Sequence, residues 1–398
     1  MMRSLLAALL FGAQLGLAAA QGGPSVKIGV LTDMSSVYAD SVGKGSVAAV
    51  ELAIEDVGGK VLGQPVQLVS ADFQLKTDLA LSIARQWFDR EGVDAIFDVI
   101  NSGTALAVNN LAKEKKKLTF VTAAAADDIG GAQCNGYGIG YLYTLRSVVK
   151  TVVAAQMARG NDTWFLMLPD AAYGNLMDTI IGQELAAAGG KVVGKVRFPY
   201  ESTDFSSFLL QAQASKAKLI VSTSGGAAKI NIMKQAREFG LPTATQKVGG
   251  VIDIITDVKS AGLQVMEGQE YGTSFYWNFD ERTRAFAQRF FAKTKRMPTN
   301  LQAAGYSAAL QYLKAVNATG SKDADKVMAY LKSQRIDDAT TRNGRIRPGG
   351  RLIRDMYLVR ARQPSQQKGD WDYYEVVATI PAEKAFGPYG QSECTAVK

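Results

Sequence analysis

The chain has 398 residues and a formal net charge of +8 at pH 7, with 47% hydrophobic and 21% charged residues. This composition is that of a globular protein and excludes an intrinsically disordered chain, and the length favours two domains over a single core. The sequence contains no histidine, which excludes histidine-based catalytic triads, HExxH zinc sites and imidazole acid–base catalysis.

The amino-terminus has the pattern of a secretory signal peptide. Arg3 is followed by an apolar run over 5–17 and by alanines at 18–20, which matches the charged, apolar and small-residue regions of such a peptide. The apolar run is shorter than the roughly 20 residues that a membrane-spanning helix needs. We expect residues 1–20 to be removed on export to the periplasm. Since no cysteine follows the alanines, we expect a soluble protein without a lipid anchor.

Strand and helix patterns alternate over residues 25–145, which we assign to the first part of a first lobe. Short apolar runs predict buried parallel strands at 26–31, 66–71, 95–100 and 118–122. Amphipathic periodicity predicts helices at 44–57, 77–90 and 104–116. The lysine-rich run at 113–117 is interpreted as a solvated helix end and not as a nucleic-acid surface, because no aromatic residues interleave with it. The glycine-rich segment 134–140 is predicted to be an irregular loop.

A second alternating set covers 146–275 and predicts a second lobe of similar size. Its helices are predicted at 146–159, 173–188, 205–215 and 227–239, and its strands at 164–168, 191–197, 218–222 and 247–249. Two further helices, at 282–292 and 302–317, come without enough strands for a third domain, so residues 276–352 are predicted to return to the first sheet. The apolar segments 356–359 and 373–380 within 353–398 alternate as antiparallel edge strands or hinge segments do. The predicted fold is therefore α/β, with two doubly wound lobes between which the chain crosses several times.

The loops after the strands of the first lobe are the first candidates for a ligand site, because ligands of open α/β sheets bind beyond the carboxyl ends of the strands. The turn of Asn101, Ser102, Gly103 and Thr104 opens a helix, whose unpaired first-turn amides favour an anion. The alternative is that Ser102 or Thr104 only caps the helix. The stretch Ala124, Ala125 and Ala126 leaves the backbone uncovered for a ligand; its alternative is a tightly packed strand end.

The second lobe offers candidates in the equivalent loops. Tyr173 stands at a helix start, where it would stack on a ligand or donate a hydrogen bond. Ser224 and Gly225 precede another helix. Tyr276 and Trp277 belong to the densest aromatic run of the chain, which lines either the pocket wall or a hinge, or serves core packing.

The only cysteines, Cys134 and Cys394, are too far apart in sequence for a CxxC redox or zinc site. In an oxidising compartment such a pair is most simply one disulfide, and the alternative is two unrelated buried thiols. No phosphate loop is present, since the residues at 43–46 lack its spacing and its preceding strand. We therefore expect no metal and no cofactor.

Several segments resemble the type I periplasmic binding proteins of the leucine/isoleucine/valine-binding class. They are VKIGVLTDMSSVYADSVGKGSVAAVELAIEDVGG from residue 26, DAAYG at 170–174 and KQAREFGL at 234–241, and the resemblance covers nearly the whole mature chain in matching order. It implies two Rossmann-like lobes joined by three crossover strands, which close on a small molecule and dock on the permease of an ABC importer. The protein is then a monomeric receptor with no nucleic-acid partner.

The resemblance also implies roles for particular residues. The turn matching Ser102 and the stretch matching Ala124–Ala126 hold a ligand carboxylate in the family's amino-acid binders, and Tyr38 and Tyr173 match the tyrosines that flank it. Here Ala126 replaces the family's threonine. The acidic residue that meets the ligand ammonium is missing near Val251, and the nearest carboxylate is Asp253.

A small organic carboxylate, aromatic acids included, is therefore the leading ligand hypothesis, because an ammonium buried without a carboxylate partner is costly. The run at 275–277 and the placement of the cysteine pair resemble family members associated with aromatic acids and other carboxylates. The alternatives are a branched-chain amino acid or amide binder, which would need Asp253 in the cleft, and a periplasmic sensor subunit. An enzyme is disfavoured by the absence of any paired catalytic motif.

Overall fold

The computed structural model describes residues 25–199, 201–390 and 394–395, so the predicted signal peptide at 1–20 lies outside the described residues. Helices and strands are numbered below in chain order. Within the described part of the chain, no helix combines the length and the apolar character needed to cross a bilayer.

The first sheet has five parallel strands in the order β4-β1-β5-β6-β7. Its strands are β1 (Lys27–Thr32), β4 (Gln67–Asp72), β5 (Ala95–Asp98), β6 (Leu118–Val121) and β7 (Gly138–Gly140), and a two-stranded hairpin, β2 (Lys60–Val61) with β3 (Gln64–Pro65), precedes β4. Ile28 of β1 lies between Leu68 of β4 and Ala95 of β5. The strands β5 and β6 are wholly buried, as expected for parallel strands with helices on both faces of the sheet.

The helices of this lobe come from two separate parts of the chain. They are α1 (Gly43–Asp56), α2 (Thr77–Gln86), α3 (Ser102–Glu114), α10 (Glu281–Thr294), α11 (Asn300–Thr319) and α12 (Ala324–Ser333). Both α10 and α11 pack against α1, so the predicted return of the later helices to the first sheet is confirmed. The last turn of the predicted helix 77–90 is a wider π-helical turn over Trp87–Glu91.

The prediction of an irregular loop over the whole of 134–140 was wrong, because Gly138–Gly140 forms the edge strand β7. A Cβ atom on Gly138 would lie 2.2 Å from Asn109 Oδ1, and one on Gly140 would lie 2.3 Å from Arg351 Cζ. Glycine is thus required here by close packing of the strand. Sequence rules interpret the same glycines as turn residues.

The second lobe has a parallel sheet in the order β11-β10-β8-β9 and, beside it, an antiparallel sheet in the order β12-β16-β17. The strands are β8 (Thr163–Pro169), β9 (Lys191–Phe198), β10 (Leu219–Ser222), β11 (Lys247–Gly250), β12 (Glu270–Thr273), β16 (Met356–Ala361) and β17 (Tyr374–Ile380). A parallel bridge between Ile252 and Gly272 joins the two sheets. The antiparallel pairing predicted for the last apolar segments is confirmed, whereas β12 was not predicted.

The first helix of the second lobe, α4 (Leu145–Met157), precedes its first parallel strand, and the other helices of the lobe follow its parallel strands. These are α5 (Ala172–Ala187), α6 (Ser206–Ala214), α7 (Gly226–Glu238), α8 (Ile255–Ala261) and α9 (Leu263–Met266). The short helices α8 and α9 were not predicted from the sequence.

Three segments carry the chain between the two lobes. The first crossover, 141–144, follows β7, and the second, 274–280, follows β12. The third, 354–355, follows a small antiparallel sheet of β13 (Arg335–Ile336), β14 (Gly344–Ile346) and β15 (Leu352–Ile353). The predicted α/β fold of two lobes with three crossovers is confirmed, while the boundaries set at 145, 275 and 352 stay predictions.

The carboxyl-terminal segment returns to the crossovers. After β17, the helix α13 (Ala382–Phe386) packs against α4. Cys394 is bonded to Cys134 of the first lobe, with 5.5 Å between the two Cα atoms. The predicted disulfide is therefore present and ties the end of the chain to the first lobe.

Candidate functional site

The loop after β1 is organised by two carboxylates. Asp33 accepts hydrogen bonds from the amides of Ser36 (3.1 Å) and Tyr38 (3.0 Å) and from the Ser36 hydroxyl (2.7 Å). Asp72, at the end of β4, accepts from the Ser35 hydroxyl at 2.5 Å. The side chain of Tyr38 remains 41% exposed. These hydrogen bonds hold the loop in one conformation, and the side chain of Tyr38 projects from it.

The turn 101–104 is capped by Asn101 and not by Ser102 or Thr104. The Asn101 side-chain oxygen accepts from the amides of Gly103 (3.0 Å) and Thr104 (3.2 Å), and its own backbone has a φ of 82°. The Thr104 hydroxyl is buried and hydrogen-bonded to Thr77 at 2.7 Å. Ser102 is exposed as the first residue of α3. The predicted anion site therefore depends on the amide and hydroxyl of Ser102, because the next two amides are occupied within the chain.

The alanines after β6 are packed more tightly than an open ligand loop requires. Ala124 and Ala126 are buried and Ala125 is half-buried. The Ala126 carbonyl accepts a hydrogen bond from Arg351. The hydrogen bond from Arg351 thus fixes their backbone. A ligand role for the amides of these alanines stays a prediction.

Tyrosines from both lobes lie close enough to influence one another electrostatically. Tyr173, in the first turn of α5, is 37% exposed. Loss of solvent raises the pKa of its phenol to about 12, and Lys229 and Tyr38 both act on it electrostatically. Burial likewise raises the pKa of Tyr143 in the first crossover, and its electrostatic neighbours include Tyr173, Asp253 and Lys229. These groups therefore form one cluster that spans the two lobes.

Lys229 and Asp253 form a buried ion pair at the second-lobe side of this cluster. Lys229, in the first turn of α7, contacts Asp253 directly and donates to Asp257 at 2.9 Å. Tyr374 donates to the other carboxylate oxygen of Asp253, and Lys229 Nζ lies 5.2 Å from the centre of the Tyr271 ring. Both oxygens of Asp253 are thus occupied within the protein.

The electrostatics of this pair follow from its burial. Burial raises the pKa of Asp253 to about 6, although Lys229 acts in the opposite direction. The pKa of Lys229 is raised above its ordinary value, because the attraction of Asp253 and Asp257 outweighs the burial that would lower it. The pair is therefore ionised at pH 7.

The loop after β10 contains hydroxyl groups that the protein does not satisfy. The side-chain oxygens of Thr223 and Ser224 are buried and have no hydrogen-bond partner in the described part of the chain. Gly225 is exposed at the start of α7. A buried hydroxyl without a partner costs about 1–3 kcal/mol, so a ligand that hydrogen-bonds to these groups recovers that free energy.

Tyr276 and Trp277 contribute ring surface but not their polar atoms. The Tyr276 hydroxyl donates to Asp372 at 3.0 Å, and the Trp277 indole donates to the Trp371 carbonyl at 2.8 Å. With Asp253, their rings line a small crevice. The same rings pack within the second lobe, and their role in a ligand pocket stays a prediction.

The sequence analysis missed Lys229, Tyr143, Thr223 and Tyr374. Tyr143 follows β7, which was not recognised as a strand, and Thr223 directly follows a predicted one, where a ligand role follows from position. Nothing near Lys229 or Tyr374 in sequence indicates their partners. Among residues 25–199, 201–390 and 394–395, no group of three or more cysteine or acidic side chains is placed to hold a metal ion.

Comparison with known proteins gives four further findings. The family described as periplasmic binding protein matches residues 25–369. The crystal structure of a branched chain amino acid ABC transporter periplasmic ligand-binding protein from Burkholderia xenovorans LB400 is 75% identical, with a TM-score of 0.92, and the match covers 94% of this chain and 100% of that one. A periplasmic binding protein from Burkholderia mallei is 46% identical, with a TM-score of 0.82, over 94% of this chain and 99% of that one. The Leu/Ile/Val-binding protein homolog 7 of Brucella abortus (strain 2308) is 24% identical over 345 residues, 82% of this chain and 85% of the relative.

Proposed function

Because this chain belongs to the periplasmic binding protein family, we propose that it captures a small organic carboxylate between its two lobes and delivers it to the permease of an ABC importer. Proteins of this family are solute-binding components of ABC transporters and not enzymes. What we propose for this chain is the class of its ligand and the delivery of that ligand to a permease.

The pairing of Asp253 within the protein is the observation that favours a ligand without an ammonium group. An amino acid brings an ammonium group into the cleft, and burying that group without a free carboxylate costs several kcal/mol. The carboxylate that the sequence offered for this role is already bound by Lys229 and Tyr374. A ligand without an ammonium group avoids this cost.

A carboxylate finds complementary groups on both sides of the gap. The first turn of α3 offers the amide of Ser102 at a helix amino-terminus, which favours an anion. On the opposite side, the unsatisfied hydroxyls of Thr223 and Ser224 are hydrogen-bond donors for carboxylate oxygens. The rings of Tyr38 and Tyr173 supply an amphipathic wall for an aromatic or aliphatic body.

The periplasm is the compartment that we propose for this receptor, with a monomer as the working form. The disulfide of Cys134 and Cys394 fits an oxidising compartment. The predicted signal peptide at 1–20 would provide the export route.

Matched pairs of ligands test the proposal directly. Leucine and 4-methylpentanoate, or phenylalanine and 3-phenylpropanoate, differ only by the ammonium group, and benzoate and 4-hydroxybenzoate extend the panel to aromatic acids. A ligand at a hundred times its dissociation constant stabilises the folded protein by about 2.7 kcal/mol. We expect a rise in melting temperature with members of the acid series and none with the amino acids. Shifts with the amino acids alone would refute the carboxylate proposal.

A branched-chain amino acid is the second candidate, favoured by the description of the relative that is 75% identical. Asp257 is the carboxylate available to an ammonium group, because it is part-exposed and its contact with Lys229 involves a single oxygen. Under this alternative, Asp257→Asn abolishes the shift with leucine. Under the carboxylate proposal, the same variant binds the acid as well as or better than the wild type, because a negative charge has been removed.

A further inference from the structure

Three buried arginines lie around the third crossover and bind backbone carbonyls. Arg347, Arg351 and Arg354 are 8%, 4% and 1% exposed. Within the described residues none of them has an acidic side chain within 4.0 Å as an ion-pair partner. A buried guanidinium without a carboxylate partner is costly. Hydrogen bonds to backbone carbonyls offset part of this cost for the three side chains.

Arg351 occupies a slot between two glycines. A Cβ atom on Gly140 would lie 2.3 Å from the Arg351 Cζ atom, and one on Gly130 would lie 2.6 Å from the Arg351 Cβ atom. The backbone of Arg351 also forms a parallel bridge with Gly140 at the edge of the first sheet. A larger side chain at Gly140 would meet the guanidinium, and one at Gly130 would meet the Cβ atom and the backbone of Arg351.

The guanidinium of Arg351 joins two segments that both lie far from Arg351 in the sequence. One nitrogen donates to the Leu142 carbonyl in the first crossover at 3.1 Å. The other donates to the Ala126 carbonyl and, at 3.3 Å, to that of Asp127. Burial lowers the pKa of Arg351 to about 10, so the side chain stays protonated at neutral pH. A charged donor therefore connects the loop after β6 to a crossover.

We propose that Arg351 is a positioning residue for ligand binding, which fixes the backbone of residues 124–127 relative to the first crossover. The amides of this loop are then presented to the ligand in one arrangement, and they move with the crossover when the lobes close. This inference rests on the proposed function and on the ligand role predicted for the alanines at 124–126. It adds a residue that touches no ligand and acts through the backbone it holds.

Arg347 provides a matched control in the same part of the chain. Its guanidinium also binds only carbonyls, those of Phe386, Gly387 and Pro388 near the carboxyl-terminus. Within the described part of the chain, its hydrogen bonds reach neither the loop after β6 nor the first crossover. Loss of either side chain removes a buried guanidinium and its carbonyl contacts, but only Arg351 holds the candidate ligand loop.

Affinity and stability together separate positioning from mere structural support. The mature chain and the variants Arg351→Lys, Arg351→Ala, Arg347→Lys and Arg347→Ala would be titrated with 4-methylpentanoate, benzoate and leucine, well below their melting temperatures. We expect the melting temperature to fall in both pairs. We expect affinity for the probe that binds the wild type to fall at least tenfold in Arg351→Ala and to stay within twofold in both Arg347 variants. Equal affinities of Arg351→Ala and wild type would overturn the inference, as would equal losses in the two pairs.

A ligand-independent measurement keeps the inference testable if the wild type binds none of the probes, which would count against the proposed function alone. Hydrogen exchange of the amides at 124–127 is expected to accelerate in Arg351→Lys and not in Arg347→Lys. Unchanged exchange in both variants would refute the positioning role. Should Arg351→Ala fail to fold, Gly140→Ala tests the same contact, because the added methyl group occupies the place of the guanidinium.

Millimolar methylguanidinium offers a rescue that a purely structural role would not show. The slot left between Gly130 and Gly140 in Arg351→Ala has the shape and the carbonyl acceptors for this cation. We expect methylguanidinium to restore ligand affinity in Arg351→Ala and to leave the affinity of Arg347→Ala unchanged. Urea at the same concentration is the control. Restored melting temperature without restored affinity would contradict the inference.

Discussion

In the first lobe, side chains satisfy the backbone amides of two strand-end loops. Asp33 binds the backbone that leads to Tyr38, and Asn101 caps the first turn of α3. In the second lobe, the hydroxyls of Thr223 and Ser224 are buried without a partner in the described part of the chain. The loops that carry Tyr38 and the start of α3 are thus ordered by their own side chains, whereas the loop after β10 contains hydroxyls that the described residues leave unsatisfied.

The two lobes also differ in whether a buried carboxylate has an ion-pair partner. Asp98, at the end of β5 in the first lobe, is buried and has no ion-pair partner among the described residues, and desolvation raises its pKa to about 7. Asp253 in the second lobe is equally buried but is paired with Lys229. The second lobe thus pairs its buried carboxylate within the protein, whereas the first lobe leaves its buried carboxylate without an ion-pair partner among the described residues.

Breaking the buried pair of the second lobe is expected to have the largest effect. Lys229→Met leaves Asp253 buried without its partner, which costs about 3–5 kcal/mol of unfolding free energy. Urea denaturation at pH 7 measures the loss. The control is Lys259→Met, whose pair with Asp370 has side chains 42% and 62% exposed and is expected to contribute less than about 1 kcal/mol. Similar losses in the two variants would show that the Lys229 pair contributes no more than a surface pair.

Asp98→Asn tests the unpaired carboxylate of the first lobe through the dependence of stability on pH. The pKa of Asp98 is raised by burial from 3.8 to about 7, so between these values the folded protein holds a proton that the unfolded chain releases. Stability of the wild type therefore falls as pH rises from about 4 to about 7. The variant lacks this penalty and is expected to be more stable by up to about 4 kcal/mol at pH 8.

The advantage of Asp98→Asn is expected to fall below about 1 kcal/mol near pH 4 and to vanish near pH 2, where Asp98 is protonated in both the folded and the unfolded state. Denaturation curves at pH 4, 6 and 8 give the comparison. Asparagine retains the size of the side chain and tolerates the φ of 83° found at this position. A difference that is independent of pH would show that Asp98 is not protonated in the folded protein.

Asn101→Ala is expected to destabilise the empty protein by about 1–2 kcal/mol, because it removes the cap of α3 and places alanine at a positive φ. Thermal unfolding without ligand measures this loss. Asn101→Gly retains the backbone conformation and lacks the cap, so the difference between the two variants isolates the strain. A loss below about 0.3 kcal/mol would mean that the amides of the turn are not satisfied by Asn101.

Thr223→Val is expected to have the smallest effect on the empty protein, a gain of up to about 1 kcal/mol, because it removes a buried hydroxyl that has no partner in the described part of the chain. The same variant is expected to weaken ligand binding about 5–10-fold, the equivalent of one hydrogen bond. Calorimetric titration with the ligand found in the paired panel measures it. Unchanged affinity would remove Thr223 from the ligand site and weaken the contrast between the lobes.

Much of the architecture was predictable from local sequence patterns. The alternation of apolar runs and amphipathic stretches predicted the strands β1 and β10 and the helices α3 and α7 to within a few residues. The start of α3 was expected at the turn of Ser102 and Thr104, but the capping residue was wrong. Which of several hydroxyls and amides caps a helix depends on side-chain geometry, and the local composition of that turn allowed each of them.

The strand at 138–140 shows a different kind of failure. Its glycines are needed because Asn109 and Arg351 approach the backbone closely. Arg351 is 211 residues beyond Gly140 in the sequence, so no local window contains the reason for the glycine. A sequence pattern is informative about a residue's own backbone and much less about the neighbour that excludes its side chain.

By itself, the sequence determined the α/β class, the two lobes, the pairing of Cys134 with Cys394 and the edge of the sheets at which a ligand site is expected. These follow from periodicity, composition and compartment, which are local or global properties of the chain. Only the tertiary structure decided that Lys229 neutralises Asp253, that Tyr374 joins them from 121 residues away, and that Arg351 fixes the alanine loop. Buried charges take their partners from whichever segments the fold brings together, because desolvation makes an unpaired charge costly wherever it lies in the sequence.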